Sequence, residues 1–370
     1  RTRERVMDWK TPKRENTTAV SLPKRWLFIH YYEALNILFR TENALRVFVY
    51  IILKSKLADE WSGATIQIAE NEHSTIANVA ARRIAQARGF GYLGYEIASP
   101  LMHLNSGELT RLLMAKAYWP HFEPYFKGKK EIIQAKLDEV NTVRNALAHF
   151  RPIRAEDIEL IKQNVRHVFA GIEECLTAIL VTSHNVPTNS REPWYASLKE
   201  LSSNLCKLSL FQSENEQWAR IRLHYGPPIN SEGYSWDGYK SFSVTNLITP
   251  AIPKHYPALA KRCIFITESV HVDTDALHFH KHVSFVIGRD VLRTHYQEIK
   301  CELEKVLATI DEETALVSAD NLARGQLITL AHPSMQKKAD QDWWSANTNA
   351  MKYAFTENDS PEYWADIEFP

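Results

Sequence analysis

The sequence predicts a multidomain α + (α+β) chain. An N-terminal all-α helical bundle over residues 26–183 precedes a smaller mixed α+β domain over 194–370 that contains an antiparallel hairpin. Three observations carry this reading. Apolar residues recur at three- and four-residue steps through the first half. The stretch 184–193, rich in Asn, Pro, Thr and Ser, breaks that pattern and reads as a linker. Beyond it the texture changes to strand-like runs, most clearly Arg262–Val272 and Leu277–Gly288. A chain of 370 residues also exceeds one ordinary domain of roughly 100–200 residues.

Taken in order, residues 1–25 form a polar, basic arm, with Arg1, Arg3, Arg5, Lys10, Lys13 and Arg14 among its cations. From Trp26 to Leu57, Leu35, Leu38, Phe39, Leu45, Phe48, Val49 and Ile52 give a helical pattern that Thr41-Glu42-Asn43 is expected to interrupt. A second helix is expected from Ser74 to Arg88, with Gly89 as its C-cap. Gly91, Gly94 and Pro100 mark a loop, and Ser106 then reads as the N-cap of a helix through Tyr118, with Glu108 near its positive end. Trp119, Phe122, Tyr125 and Phe126 lie in a short connector, where aromatics are more often core than base-stacking platforms. The next helix runs from Lys129 to Phe150 on the stripe Ile132, Ile133, Leu137, Val140, Val143 and Leu147, and Pro152 stops it. The last helix of the bundle covers Ala155–Val181.

In the second part, Trp218–Tyr225 and Phe242–Ile248 read as strands and Gly233–Gly238 as a loop. A tight turn at Thr274-Asp275 sets a hairpin register in which Val270 faces Phe279, Ile266 faces Val283, Glu268 faces Lys281 and His271 faces His278. A helix follows from Arg289 to Ile310, and Ser360-Pro361-Glu362 reads as a further helix start in an aromatic-rich tail.

Composition excludes several function classes. Lys+Arg and Asp+Glu both number 44, so contact with a polyanion needs a local patch. The cysteines Cys175, Cys206, Cys263 and Cys301 form no C-x-x-C pair, which argues against a zinc ribbon or a disulfide scaffold and for a reducing cytoplasm. No signal peptide is visible, and the run Val47–Leu53 is far shorter than the ~20 residues of a membrane span. No membrane contact is expected.

The stretch Val143–Phe150 sets a permanent cation, an amide and an imidazole at the end of an amphipathic helix. Asn145 and His149 are four apart and share a face, whereas Arg144 is turned about 140° from His149. One helix therefore converges the two poorly, and a symmetric pair of such helices converges them better. These residue types suit RNA cleavage without a metal. Histidine exchanges protons near neutral pH, and arginine forks onto phosphate oxygens. Asn145 can orient either group.

Arg144, the polar Asn145, three further residues and His149, near the end of a helix in a small bundle, resemble the HEPN domain, most closely the HEPN proteins of abortive-infection and toxin systems. Glu42-Asn43-Ala44-Leu45-Arg46 also resembles the start of such domains. The resemblance spans roughly residues 26–182. It implies a homodimer formed through the motif helix and a metal-independent endoribonuclease of antiviral defence, cleaving RNA by 2′-OH attack to a 2′,3′-cyclic phosphate. It implies catalytic roles for Arg144, Asn145 and His149, no cofactor and no metal, and Glu42 and Glu139 as candidate acidic helpers. Lys129, Lys130 and Arg151 are expected to bind the RNA backbone. The alternative is a non-catalytic dimerisation or partner-binding bundle with a ligand-sensing C-terminal domain. The role of residues 194–370, as sensor, regulator or target binder, is open.

His278, His280 and His282 alternate on one hairpin face, with His271 opposite. Such a cluster can bind a metal, contact phosphate or respond to pH, although a solvated strand face is the commoner outcome.

Overall fold

The computed structural model describes residues 31–69, 72–89, 100–227, 229–236, 239–273, 278–332, 334–337, 344–346, 351–354 and 365–367. The basic arm, Gly91 and Gly94, the Thr274-Asp275 turn and the expected helix start at Ser360 lie outside the described residues. The protein is mixed helical and sheet, and every strand pairing among the described residues is antiparallel. Among the described residues no helix is long and apolar enough to cross a membrane.

The helical part comprises α1 (Tyr31–Leu57), a hairpin of β1 (Thr65–Ala69) and β2 (Glu72–Thr75), α2 (Ile76–Gly89), α3 (Ser106–Met114), α4 (Trp119–Phe122), α5 (Lys130–Ala148) and α6 (Ala155–Leu180). It is therefore not wholly α. The alternation in Thr65–Ala69 buries Ile66 and closes the strand on Glu72–Thr75. Nor is α1 interrupted at Thr41. The Thr41 hydroxyl bonds back to the Ile37 carbonyl at 2.7 Å, and Glu42 and Asn43 both bind Arg46 one turn on, so polar residues that often break helices are satisfied within this one. Asn105, not Ser106, caps α3, through a capping box with Glu108, and the Ser106 hydroxyl turns instead to Asn141 on α5. That helix ends at Met114, short of Tyr118. Trp119, Phe122 and Phe126 are buried around Phe48, so the connector aromatics are core.

The sheet part begins with β3 (His184–Asn185), α7 (Pro193–Leu198), β4 (Cys206–Gln212), β5 (Trp218–Tyr225), β6 (Ile229–Trp236) and β7 (Tyr239–Leu247). Gly233 thus lies in a strand, where the backbone pairs with β7 across an irregular register. Next come α8 (Ala251–His255), α9 (Pro257–Arg262), β8 (Phe265–Asp273), β9 (His278–Gly288) and α10 (Arg289–Ala319), then β10 (Ile328–Ala331), β11 (Ser334–Lys337), β12 (Trp344–Ala346), β13 (Met351–Ala354) and β14 (Ala365–Ile367). A seven-stranded sheet has the order β14-β13-β8-β9-β5-β4-β3, and a smaller one groups β10, β7, β11, β12 and β6.

The hairpin of β8 and β9 forms, two residues out of the expected register. Val272 pairs with Phe279, Val270 with Lys281, Ile266 with Phe285 and His271 with His280. A shift of two leaves every side chain on its expected face. Lys281 still reaches Glu268, at 2.9 Å, as a diagonal neighbour. The ladder closes at Asp273–His278, so the connection falls one residue later than the expected Asp273–Ala276.

One face of the seven-stranded sheet is apolar. Ile221, Leu223, Val283 and Phe285 pack against Ile299, Leu303, Val306 and Ile310 of α10, which runs nine residues past the expected Ile310. The opposite face is divided. At one end Trp218, Phe265 and Val286 join the same core as Phe48–Leu53 of α1. The Tyr50 hydroxyl donates to the Ile264 carbonyl at 2.7 Å across that junction. This accounts for the unbroken burial of Phe48–Lys54 in α1, which shares one core with the helices and with the sheet. The other end of the face is polar.

Candidate functional site

The C-terminal end of α5 rests on a small core of its own. Val140, Val143 and Leu147 pack on Ala34 and Leu38 of α1, and on Ile153, Ile158 and Ile161 of α6 and its approach. Burying that stripe rotates Arg144, Asn145 and His149 away from the core. Arg144 is 33% exposed, and Asn145 and His149 are exposed.

The helix ends in a Schellman turn. His149 is the C-cap, the Phe150 amide donates to the Leu147 carbonyl at 3.0 Å, and the Arg151 amide donates to the Ala146 carbonyl at 2.8 Å. Phe150 pays for this geometry with a φ of +54°, a left-handed conformation that disfavours a bulky side chain. Pro152 then prevents any further turn, and buried Ile153 anchors the chain below. The fixed turn sets the position of the His149 backbone.

Arg144 is held from α1. Its Nε lies 3.4 Å from Glu42 Oε2. The same carboxylate pairs with Arg46, which also donates to Asn43 at 2.8 Å and to the Leu104 carbonyl at 3.0 Å. One part-buried acid, 14% exposed, thus serves two guanidiniums. Burial pulls the Arg46 pKa below its usual value despite Glu42. Asn145 Oδ1 is 3.5 Å from Arg144 Nη1, at the outer limit of a hydrogen bond.

The structure thus joins Arg144, Asn145 and Glu42. It does not join His149 to Arg144 within one chain, and among the described residues the His149 ring has no hydrogen-bond or ion-pair partner. Glu139 turns the other way, accepting from Asn164 on α6 at 2.6 Å. Arg151 is exposed beside His149. Lys129 and Lys130 sit at the opposite end of α5, about 20–30 Å from Arg144 and His149 at 1.5 Å per residue. Lys130 is occupied over the Trp119 ring at 5.9 Å.

A second cluster lies on the polar end of the large sheet. His224 on β5, which sequence reading passed over, sits between two histidines of β9. Its Nε2 is 3.0 Å from His280 Nδ1, and its Nδ1 is 2.9 Å from His282 Nε2. The His271 ring centroid is 5.0 Å from that of His282. The side chain of His278 lies outside the described residues. Among the described residues no group of three or more His, Cys, Asp or Glu is arranged to hold a metal. The signal for His224 was present in the alternation Arg220-Ile221-Arg222-Leu223-His224-Tyr225, but only the pairing of β5 with β9 sets it beside His280 and His282.

Comparison with protein-family models, curated proteins and solved structures finds no match for this chain.

Proposed function

We propose that this chain is a metal-independent endoribonuclease of the HEPN type, an antiviral or toxin effector, working as a homodimer through the end of α5. The observation that supports it best is the presentation of Arg144, Asn145 and His149 at one solvent-facing helix end above a dedicated core. His149 takes the proton from a ribose 2′-OH. The 2′-oxygen bonds to phosphorus, the bond to the 5′-oxygen breaks, and that oxygen is protonated by a second acid, the partner copy's histidine. The products are a 2′,3′-cyclic phosphate and a 5′-hydroxyl. Arg144 stabilises the charge that builds on the phosphate oxygens.

A second copy supplies what one chain lacks, an imidazole facing the guanidinium. Large apolar side chains stand exposed near this end: Phe39 (68% exposed) and Leu35 on the first half of α1, and Phe150 (78%) beside His149. Exposed apolar groups of this kind suit an isologous interface.

The rival reading is a bundle that only dimerises or binds a partner. Glu42 favours it, because its carboxylate already occupies the Arg144 guanidinium. The deciding experiment incubates the purified full chain with mixed single-stranded RNA in EDTA and measures mass in solution. Cyclic-phosphate ends lost in Arg144→Ala and in His149→Ala support the nuclease. A stable dimer that cleaves no RNA supports the rival.

A further inference from the structure

Arginines that are mostly buried in this protein generally meet an acid: Arg83 binds Glu108 at 2.6 Å, Arg289 binds Glu192 at 3.1 Å, and Arg46 binds Glu42. The polar end of the large sheet departs from that pattern. Arg220 is 7% exposed, yet among the described residues its guanidinium makes one hydrogen bond, from Nη2 to the Leu180 carbonyl at 2.7 Å, and its Nε is unbonded. Arg222 lies over the Phe211 ring at 4.7 Å, touches the Ser284 hydroxyl at 3.4 Å and has no carboxylate partner among the described residues. Lys207 is paired in register with His224 from the neighbouring strand. Among the described side chains this face carries no acid by register; Glu268 lies on the other face, beside Lys281. A half-buried guanidinium with no counter-charge is a costly arrangement that an arriving anion offsets.

The histidines fit the same ligand. Each N···N contact holds one proton, so the chain His280–His224–His282 keeps both contacts when neutral and when it carries one extra proton. A second extra proton would set two N–H groups against each other. The chain therefore takes up one charge without breaking. A divalent metal suits it less well. The two nitrogens of His224 face different rings and do not converge, and the charged neighbours Lys207, Arg220 and Arg222 repel a cation. Adjacent strands lie about 4.8 Å apart, so the positions from Lys207 on β4 to His271 on β8 span about 14 Å, wider than one phosphate.

We propose that the polar end of this sheet face, centred on Arg222 and His224, is a binding surface for successive phosphate groups, carried by a nucleotide or by a single RNA strand, and that binding takes up a proton. Burial, and then the neighbouring imidazoles and Arg222, hold His282 down at about 4, and burial also lowers His224, so the free protein disfavours charge on these two rings. A bound phosphate reverses that bias, and affinity rises as pH falls from 8 towards 5.5. The site is separate from α5 and does not rest on the nuclease reading.

The test is calorimetric titration of the full chain carrying His149→Ala, so that no probe is cut, with inorganic phosphate, ATP and a short single-stranded RNA. Titrations near pH 6 and near pH 8, in buffers of different ionisation heat, report proton uptake. We expect ATP or RNA to bind at least about tenfold more tightly at the lower pH, with Arg222→Gln and His224→Gln each weakening it by at least about tenfold, the scale of one charged hydrogen bond. Arg222→Lys should keep part of the affinity. RNA alone binding assigns the surface to a strand, and ATP binding as well assigns it to the polyphosphate group. No binding of any probe by folded protein near pH 6, equal affinity in the variants, or a zinc complex that His224→Gln abolishes would overturn the proposal.

Discussion

The end of α5 and the polar end of the large sheet use the same residue types in opposite ways. On α5 the imidazole of His149 has no hydrogen-bond or ion-pair partner among the described residues, while Arg144 is paired to Glu42 at 3.4 Å. On the sheet the imidazoles of His224, His280 and His282 are joined to one another at 2.9–3.0 Å while Arg222 has no acid among the described residues. An exposed imidazole and a tethered cation suit the proposed chemistry, completed by another group. A linked imidazole cluster beside an uncompensated cation suits the holding of charge. The difference teaches that a histidine and an arginine near each other in sequence or space do not define a function; what each is already bonded to does.

The largest effect that can break this contrast is on cleavage. On the proposed nuclease reading, His149→Ala and Arg144→Ala should each lower the rate of RNA cleavage by about 10²–10⁴-fold, the usual scale for a general base or a preorganised charge, while leaving denaturation midpoints nearly unchanged. Loss of fold instead of activity would make them structural. Next is Glu42→Gln. It leaves two guanidiniums sharing a neutral amide, and urea unfolding should show a loss of about 2–3 kcal/mol. A loss under half a kcal/mol would mean the acid is not what positions Arg144.

The pH dependence of stability sharpens the other side. The folded-state pKa of His282 is depressed to about 4 from an ordinary 6.5. Between those values the unfolded chain binds the proton and the folded chain does not, so this group makes stability fall as pH drops from 6.5 to 4. His282→Asn should flatten unfolding curves in that window, and an unaltered slope would contradict the burial of the cluster. Tyr50→Phe removes the bond to Ile264 that ties helices to sheet, and should cost about 1 kcal/mol in thermal or urea unfolding. The smallest effect is at Phe150. Phe150→Gly relieves the left-handed strain and should raise stability by about 0.5–1 kcal/mol, measured on folded monomer; a lower stability would show that the ring matters more than the backbone.

Much of this was legible in the sequence where burial is one-sided. The stripes of α5 and α6 are buried almost as their spacing dictates, with Ile132 left outside. The hairpin face was legible and its register was not, because alternating Val, Ile and Phe satisfy either of two registers and the connection between them decides. Leu35 and Phe39 fit the helical period but are exposed, since periodicity marks an apolar face and not what packs against it. Glu42 and Glu139 were both named as candidate acids through the family resemblance, but which of them meets Arg144 was not legible, because Glu42 lies about a hundred residues away and the packing of α1 on α5 decides. Arg222 and His224 were missed for a similar reason: their neighbours come from a strand some sixty residues later.

The shared core of α1 also has a consequence in time. Tyr50 and the strand that covers it are separated by 214 residues. At synthesis rates of about 5–20 residues per second, the buried half of α1 waits roughly 10–40 s on the ribosome before its cover is made. For that interval the Tyr50 hydroxyl lacks the Ile264 carbonyl to which it donates, and the core it shares with Trp218, Phe265 and Val286 is incomplete. The helices can form early, but the interior they share with the sheet is completed only after Val286 has been translated.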